Sequence, residues 1–251
     1  MMIIKSDSDI RLMRKAGTIA GGALRAAGEA IRPGMTTKEL DKVVESYIRS
    51  KGAIPSFKGY GGFPASACIS INNVVIHGIP SERIILKEGD IVSVDVGAYI
   101  GGFHGDTANT FPVGNISPAA MKLIEVTRAS LGEAMKLLKN GVRLGDIGSC
   151  IDSYVGTFGY STVKDFVGHG IGRALHEDPN IPNFGRAGHG LRLPKGATVA
   201  IEPMINEGTD RVIVSNEDGW TVTTADGKLS AHYEHTFFID EDRAHILTLP
   251  D

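Results

Sequence analysis

Two cysteines and one tryptophan are all that 251 residues carry of either type. Two thiols cannot build a disulfide framework, which points to a reducing compartment. No apolar run approaches the ~20 residues needed to span a bilayer. Met1-Met2-Ile3-Ile4 is followed at once by Lys5 and Asp7, so the start lacks the apolar core of a secretory signal. No charge sign dominates: 26 Lys and Arg against 29 Asp and Glu leave a formal net charge of -3. That balance argues against a broad basic face, and no nucleic-acid-binding motif is present. Common hydrolase signatures are also missing. His176-Glu177 runs on into Asp178, Pro179 and Asn180 instead of completing a zinc-protease helix motif, and there is neither a nucleophile elbow nor a phosphate-binding loop. What remains is a cytoplasmic globular protein with 42% hydrophobic and 22% charged residues, long enough to fold without staples. Glycine is the one excess, at 32 residues, and implies many turns and close backbone approaches.

The spacing of apolar residues predicts a helix over 8–31, capped by Ser8 and stopped by Pro33-Gly34. Thr36-Thr37-Lys38-Glu39 reads as a capping box opening a second helix that ends at Gly52. Strand-like segments follow at Ala67–His77, Asp90–Ile100 and Phe103–Val113. The pattern then restarts at Ser117-Pro118, with helices expected over 119–139 and 144–157. A constant offset of 107 residues matches Leu24 with Leu131, Ala27 with Ala134, Gly34 with Gly141, Leu40 with Ile147 and Gly52 with Gly159. Two generic amphipathic helix pairs could coincide in this way. The sharper reading is an internal duplication. It makes residues 1–251 a single domain of two pseudo-symmetric halves, approximately 8–114 and 117–240, with strands joined in a central sheet, helices on one face and a site between the halves. Further strands are expected at Thr198–Ile205, Arg211–Ser215, Thr221–Thr224 and His232–Asp240.

Chemistry-bearing residues lie inside these apolar strands. Asp95 sits in Ile91-Val92-Ser93-Val94-Asp95-Val96, where a carboxylate is costly unless paired or bound to a metal. Asp106 follows eleven residues on, and a hairpin would let the two aspartates face each other. Taken alone, either has an ordinary reading as a carboxyl satisfied by backbone amides or as a turn residue. Glu202, just before Pro203, and Glu234 repeat the pattern. His169, between two glycines, is a candidate nitrogen ligand. Four clustered carboxylates and one imidazole cannot sit buried without cations. The set suits two divalent ions sharing bridging carboxylates, and the lack of cysteine ligands argues against structural zinc.

These residues carry a resemblance. Cys68-Ile69-Ser70-Ile71-Asn72 leads to His77-Gly78-Ile79-Pro80, and Asp95 pairs with Asp106. Gly168-His169-Gly170-Ile171-Gly172 leads to His176, and Ile201-Glu202-Pro203-Met204 precedes Tyr233-Glu234-His235-Thr236. In this order the motifs resemble the type I methionine aminopeptidases, and the resemblance spans essentially the whole chain. It implies an α+β pita-bread fold of the creatinase/aminopeptidase kind, with helices on one face of a curved, mostly antiparallel sheet. It implies hydrolytic removal of the initiator methionine from nascent polypeptides when the next residue is small. Asp95 would chelate one metal, Asp106 and Glu234 would bridge both, and His169 and Glu202 would complete the other. A bridging water of lowered pKa would be the nucleophile. His77 and His176 would contact substrate and stabilise the tetrahedral intermediate, with Glu202 also moving a proton. Tyr60, Phe63, Cys68 and Trp220 would line the methionine pocket. Cobalt, manganese, iron and zinc all suit such ligands. A monomer with transient ribosome contact completes the expectation.

Two positions depart from the family pattern: Leu175 where an aromatic often stands, and Gly97 where Thr or Ser often follows the first aspartate. Proline-specific peptidases of the same fold usually carry a large additional N-terminal domain, for which the few residues before the first helix leave no room. Metal-free binding relatives lose ligands, and all five are present here.

Overall fold

The computed structural model describes residues 2–250. Four helices form: α1 (Asp7–Ala30), α2 (Thr37–Ser50), α3 (Pro118–Met135) and α4 (Leu144–Gly156). The strands of the first half are β1 (Ile54–Pro55), β2 (Ala67–Ile71), β3 (Val74–Ile76), β4 (Ile91–Ile100) and β5 (Phe103–Pro112). After α4 come β6 (Ser161–Thr162), β7 (Gly168–Gly170), β8 (Glu177–Ile181), β9 (Thr198–Ile201) and β10 (Met204–Asn206). The last are β11 (Val212–Val214), β12 (Val222–Thr224), β13 (Ser230–His232), β14 (Glu234–Ile239) and β15 (Ala244–Ile246).

Local chemistry explains where expectation and structure differ. Ser6, not Ser8, caps α1, because Asp9 stands three residues on and its carboxylate accepts the Ser6 N–H in return. The Thr36–Glu39 capping box of α2 forms as expected. Helix α3 stops at Met135 rather than 139, where Leu137 and Leu138 tighten into three-residue turns on Ala134 and Met135. Each of three long apolar segments breaks in two. Ala67–His77 turns at Asn72, whose φ of 54° is left-handed, and Asn72 Oδ1 accepts the Ile91 N–H there. Thr198–Ile205 breaks at Glu202-Pro203, since proline has no N–H to give a ladder. The last segment begins earlier than expected, at Ser230, and breaks at Tyr233.

The main sheet has nine strands in the order β1-β4-β5-β14-β9-β7-β8, with β2 on β4 and β15 on β14. Its pairings are all antiparallel. One core cluster joins Ala20, Ala23, Leu40, Val44 and Ile48 of α1 and α2 to Val92, Val94 and Val96. Another joins Leu123, Leu131, Ile147 and Ile151 of α3 and α4 to Val199, Ile201 and Phe237. Helices therefore cover the sheet behind the site. Among the described residues no helix is long and apolar enough to cross a membrane.

Helix α1 approaches β5 without intervening side chains at Gly17 and Gly105. A Cβ on Gly105 would stand 2.5 Å from the Gly17 nitrogen, backbone against backbone. Gly105→Ala should therefore cost about 1–3 kcal/mol through overpacking. A lowered denaturant midpoint at unchanged slope checks it, and an unchanged midpoint would mean that the helix moves away freely.

Candidate metal centre and active site

The register of the sheet assembles the acidic residues. Asp95 on β4 pairs with Ala108 on β5, and Ala108 pairs on its other side with Glu234 on β14. Side chains two apart on a strand share a face, so Asp106 lies beside this row. Asp106 is paired with Gly97, so the two aspartates meet diagonally rather than directly opposite. On β9, Ile201 pairs with His235, which sets Glu202 next to Glu234 just beyond the end of the strand. His169 on β7 pairs with Ala200 and reaches the same face. Ligand atoms of Asp106, His169 and Glu234 lie within 4.8 Å of one another.

All eleven residues proposed from sequence line one open-mouthed cavity of about 590 Å³: Tyr60, Phe63, Cys68, His77, Asp95, Asp106, His169, His176, Glu202, Trp220 and Glu234. Phe57 and Leu175 complete its walls. Phe57 gave no sequence signal, because it lies on β1's irregular exit and belongs to no motif. His232 was also missed. It is 1% exposed, its Nε2 lies 3.6 Å from Glu202 Oε2, and that nitrogen has no hydrogen-bond partner among the described residues. Its place two residues before Glu234 was the available clue.

The electrostatics are those of a site built for cations. Burial pushes the Asp95 carboxyl up to about 7 and the Glu202 carboxyl up to about 8. Burial first, and Asp95 and Glu202 next, raise Asp106 well above the usual carboxylate range. Glu234 is raised by burial and then by Asp106. Burial pulls His169 down to about 3, so its Nε2, 3.9 Å from Asp106 and 3.7 Å from Glu202, belongs to a neutral imidazole and forms no ion pair. Its Nδ1 donates to the Gly170 carbonyl at 2.8 Å, leaving Nε2 as a free lone pair. One buried oxygen each of Asp95, Asp106 and Glu234 has no hydrogen-bond partner among the described residues. Orphaned acceptors around a neutral imidazole lone pair are what divalent cations would satisfy, so the donor set fits such ions.

His77 and His176 are also neutral near pH 7. Burial lowers His77 to about 4 and lowers His176. His77 adopts a left-handed φ of 59°, a strained conformation for a residue with a side chain. Gly78 behind it has no room for a Cβ against the Ile69 carbonyl, so the turn is pinned to β2. The His77 ring meets Trp220 edge-on at 6.0 Å. His176 Nδ1 lies 2.6 Å from the Tyr60 hydroxyl.

Against this geometry, comparison with known proteins defines the class. The chain belongs to metallopeptidase family M24, whose model matches residues 11–241. It is a metal-dependent aminopeptidase of pita-bread fold, and divalent-metal use comes with the family. Methionine aminopeptidase of Clostridium perfringens is 55% identical over 249 residues, 99% of each chain. The crystal structure of methionine aminopeptidase from Thermotoga maritima superposes with a TM-score of 0.97 at 47% identity, over 99% of this chain and 100% of that one. Prolidase from Pyrococcus furiosus, at 24% identity and TM-score 0.80 over 100% of this chain and 66% of its own, shares the fold.

Two outcomes follow from the site's chemistry. Between pH 7 and 9 the stripped protein should lose stability. Its raised carboxyls hold protons when folded that the unfolded chain has already released, so each pH step upward favours unfolding until the folded groups ionise. Below pH 7 the lowered histidines act in the opposite sense, which is why the window starts there. Saturating divalent ions should flatten the slope. Denaturation midpoints at pH 7 and 9, with and without chelator, check it, and a flat profile in stripped protein would refute the shifts. The second outcome concerns thiols. The motif placed Cys68 at the pocket, and it is there, but burial and then Asp95 raise its pKa well above a free thiol's. Cys150, half-buried on α4, should therefore alkylate first. Peptide mapping after brief iodoacetamide treatment checks the order.

Proposed function

We propose that this aminopeptidase removes the initiator methionine from nascent polypeptides in the cytoplasm when the following residue is small. The observation that carries the reading is the cavity itself. A floor of Asp95, Asp106, His169, Glu202 and Glu234 meets walls of Phe57, Tyr60, Phe63, Cys68, Leu175 and Trp220. Such walls suit a flexible, polarizable thioether, and the surplus of carboxylates suits a substrate's α-ammonium group.

Asp95 would hold one divalent ion, His169 and Glu202 a second, and Asp106 and Glu234 would reach both. Manganese, iron, cobalt and zinc are the candidates. Ions bound there would supply Lewis-acid polarisation and a lowered water pKa. The remaining roles fall to the chain's own groups. The Tyr60 hydroxyl lies 2.6 Å from His176 Nδ1, and in the tautomer where that hydroxyl donates, the ring's proton would sit on Nε2, available to oxygen charge developing on the scissile carbonyl. His77, neutral and held by its strained backbone, offers a second N–H. Glu202, at the end of β9 beside the other carboxylates, would carry a proton from water to the leaving amine. The matching helix pairs, each over its own core cluster, support reading residues 8–114 and 117–240 as duplicated halves. Ribosome contact and a monomeric state belong to the same proposal.

Release of free methionine from Met-Ala-x, Met-Leu-x and x-Pro peptides tests it. Met-Ala-x should be cleaved fastest, chelation should abolish turnover, and one or two divalent equivalents should restore it. His176→Ala should lower kcat by about 10²–10³ with metal content unchanged. Preference for x-Pro peptides would overturn the substrate assignment, and stoichiometric metal loss in the variant would make His176 a ligand.

A further inference from the structure

The segment ahead of α1 carries a lysine that is not on the surface. The Lys5 side chain is 3% exposed and its Nζ lies 2.5 Å from Glu177 Oε2, on a side chain 5% exposed. Nζ also donates to the Ile3 carbonyl at 3.0 Å. The other Glu177 oxygen accepts the backbone N–H groups of Arg173 at 2.8 Å and Ala174 at 3.3 Å. Gly172 closes the cluster: a Cβ there would stand 2.5 Å from both Glu177 Oε1 and Lys5 Cε. The lysine's own backbone is fixed as well, with its N–H on the Gly196 carbonyl at 2.9 Å, and Gly196 in turn on Ile239 at the end of β14.

The loop wrapped around this carboxylate runs from Gly172 to His176, and it delivers Leu175 and His176 to the cavity wall. Ladder pairing reaches Glu177, opposite Gly170, and stops there, so β8 does not itself hold residues 173–176. Their backbone N–H groups at 173 and 174 end on Glu177, and Glu177 is neutralised by Lys5. We propose that Glu177, its charge balanced by Lys5, is a positioning residue, an internal strap that fixes the loop so that Leu175 shapes the pocket and His176 meets the substrate. The inference rests on the role given to His176 above.

Backbone N–H groups that lose their acceptor turn to water, and turning here lifts the loop. Losing Lys5 alone would also strand the Glu177 charge, so both charges are removed together in testing the strap. A displacement of the order of 1 Å at a reacting group can cost about 10²-fold in rate. A pair that merely stabilised the fold would change melting temperature and leave turnover alone.

Three variants of the metal-loaded full chain separate these cases, with kcat, KM, metal content and melting temperature measured on the same preparations. Lys5→Met with Glu177→Gln strands no charge and keeps an oxygen for the Arg173 and Ala174 N–H groups, so kcat should stay within about threefold of the parent. Lys5→Met with Glu177→Ala also strands no charge but leaves those N–H groups without an acceptor. Here kcat should fall about tenfold or more at unchanged metal content. Lys195→Met breaks an exposed pair with Asp240 and should leave kcat unchanged. Equal kcat in the two double variants would overturn the inference. His176→Ala, assayed beside them, tells the two readings apart. If it loses turnover while the Glu177→Ala double variant does not, the strap alone is wrong. If it keeps parental turnover, the role of His176 falls and the strap falls with it.

Discussion

Four carboxyls share one face of a buried sheet, and most of the molecule can be read as what that placement demands. Charges this close raise one another's pKa and cannot all ionise without cations. The backbone beneath them must therefore be rigid enough to hold them together against repulsion. It is rigid by overlapping means. The β5–β14 ladder pairs Glu234 with Ala108 and His235 with Thr107. Where that ladder ends, Thr236 takes over, its hydroxyl accepting the Asp106 N–H at 3.0 Å and donating to the Asp106 carbonyl at 2.8 Å. Thr110 does the same for His232 on the other side, at 2.9 Å in each direction. Threonine hydroxyls substitute for main-chain partners on both sides of the short ladder.

Room is the second requirement, and small residues meet it. Ala108 lies between Asp95 and Glu234, and Ala200 lies across from His169. A larger side chain at either place would fill the space in which the ligand atoms converge. Strand breaks serve the same end. Glu202 leaves the ladder at Pro203, and Tyr233 interrupts the chain just before Glu234, so both glutamates sit at strand ends with some freedom of direction.

Much of this was legible in the sequence because buried carboxylates in β-branched runs are costly, and cost leaves a pattern. Asp95 inside Ile91–Val96 and Glu202 before Pro203 stood out for that reason, and every residue singled out from the motifs reaches the cavity. The hairpin was legible too, but its register was not. Placing Asp106 opposite Gly97 rather than Asp95 depends on where the turn at Gly101-Gly102 falls, and a two-residue shift keeps every side chain on the same face. The short strands at Gly168–Gly170 and Glu177–Ile181 were invisible, since they are glycine- and acid-rich and owe their conformation to neighbours in the sheet. His232 and Phe57 escaped because nothing local distinguishes a histidine or phenylalanine that faces a site from one that packs in a core.

Gly97 shows how a departure from a family pattern is absorbed. It lies two residues after Asp95 on the same face, so a hydroxyl-bearing side chain there would stand beside the acidic row. In this chain a Cβ at that point would come within 2.7 Å of the Ser56 Cβ and 2.9 Å of the Phe57 ring. Ser56 and Phe57 occupy that space. Ser56 is turned to His104, 2.8 Å from its Nδ1, and Phe57 forms part of the cavity wall. Glycine at 97 therefore leaves aromatic surface in the pocket beside the acidic residues, and the Ser56 N–H bonds the Gly97 carbonyl at 2.9 Å. Leu175 adds a further apolar group to the same walls.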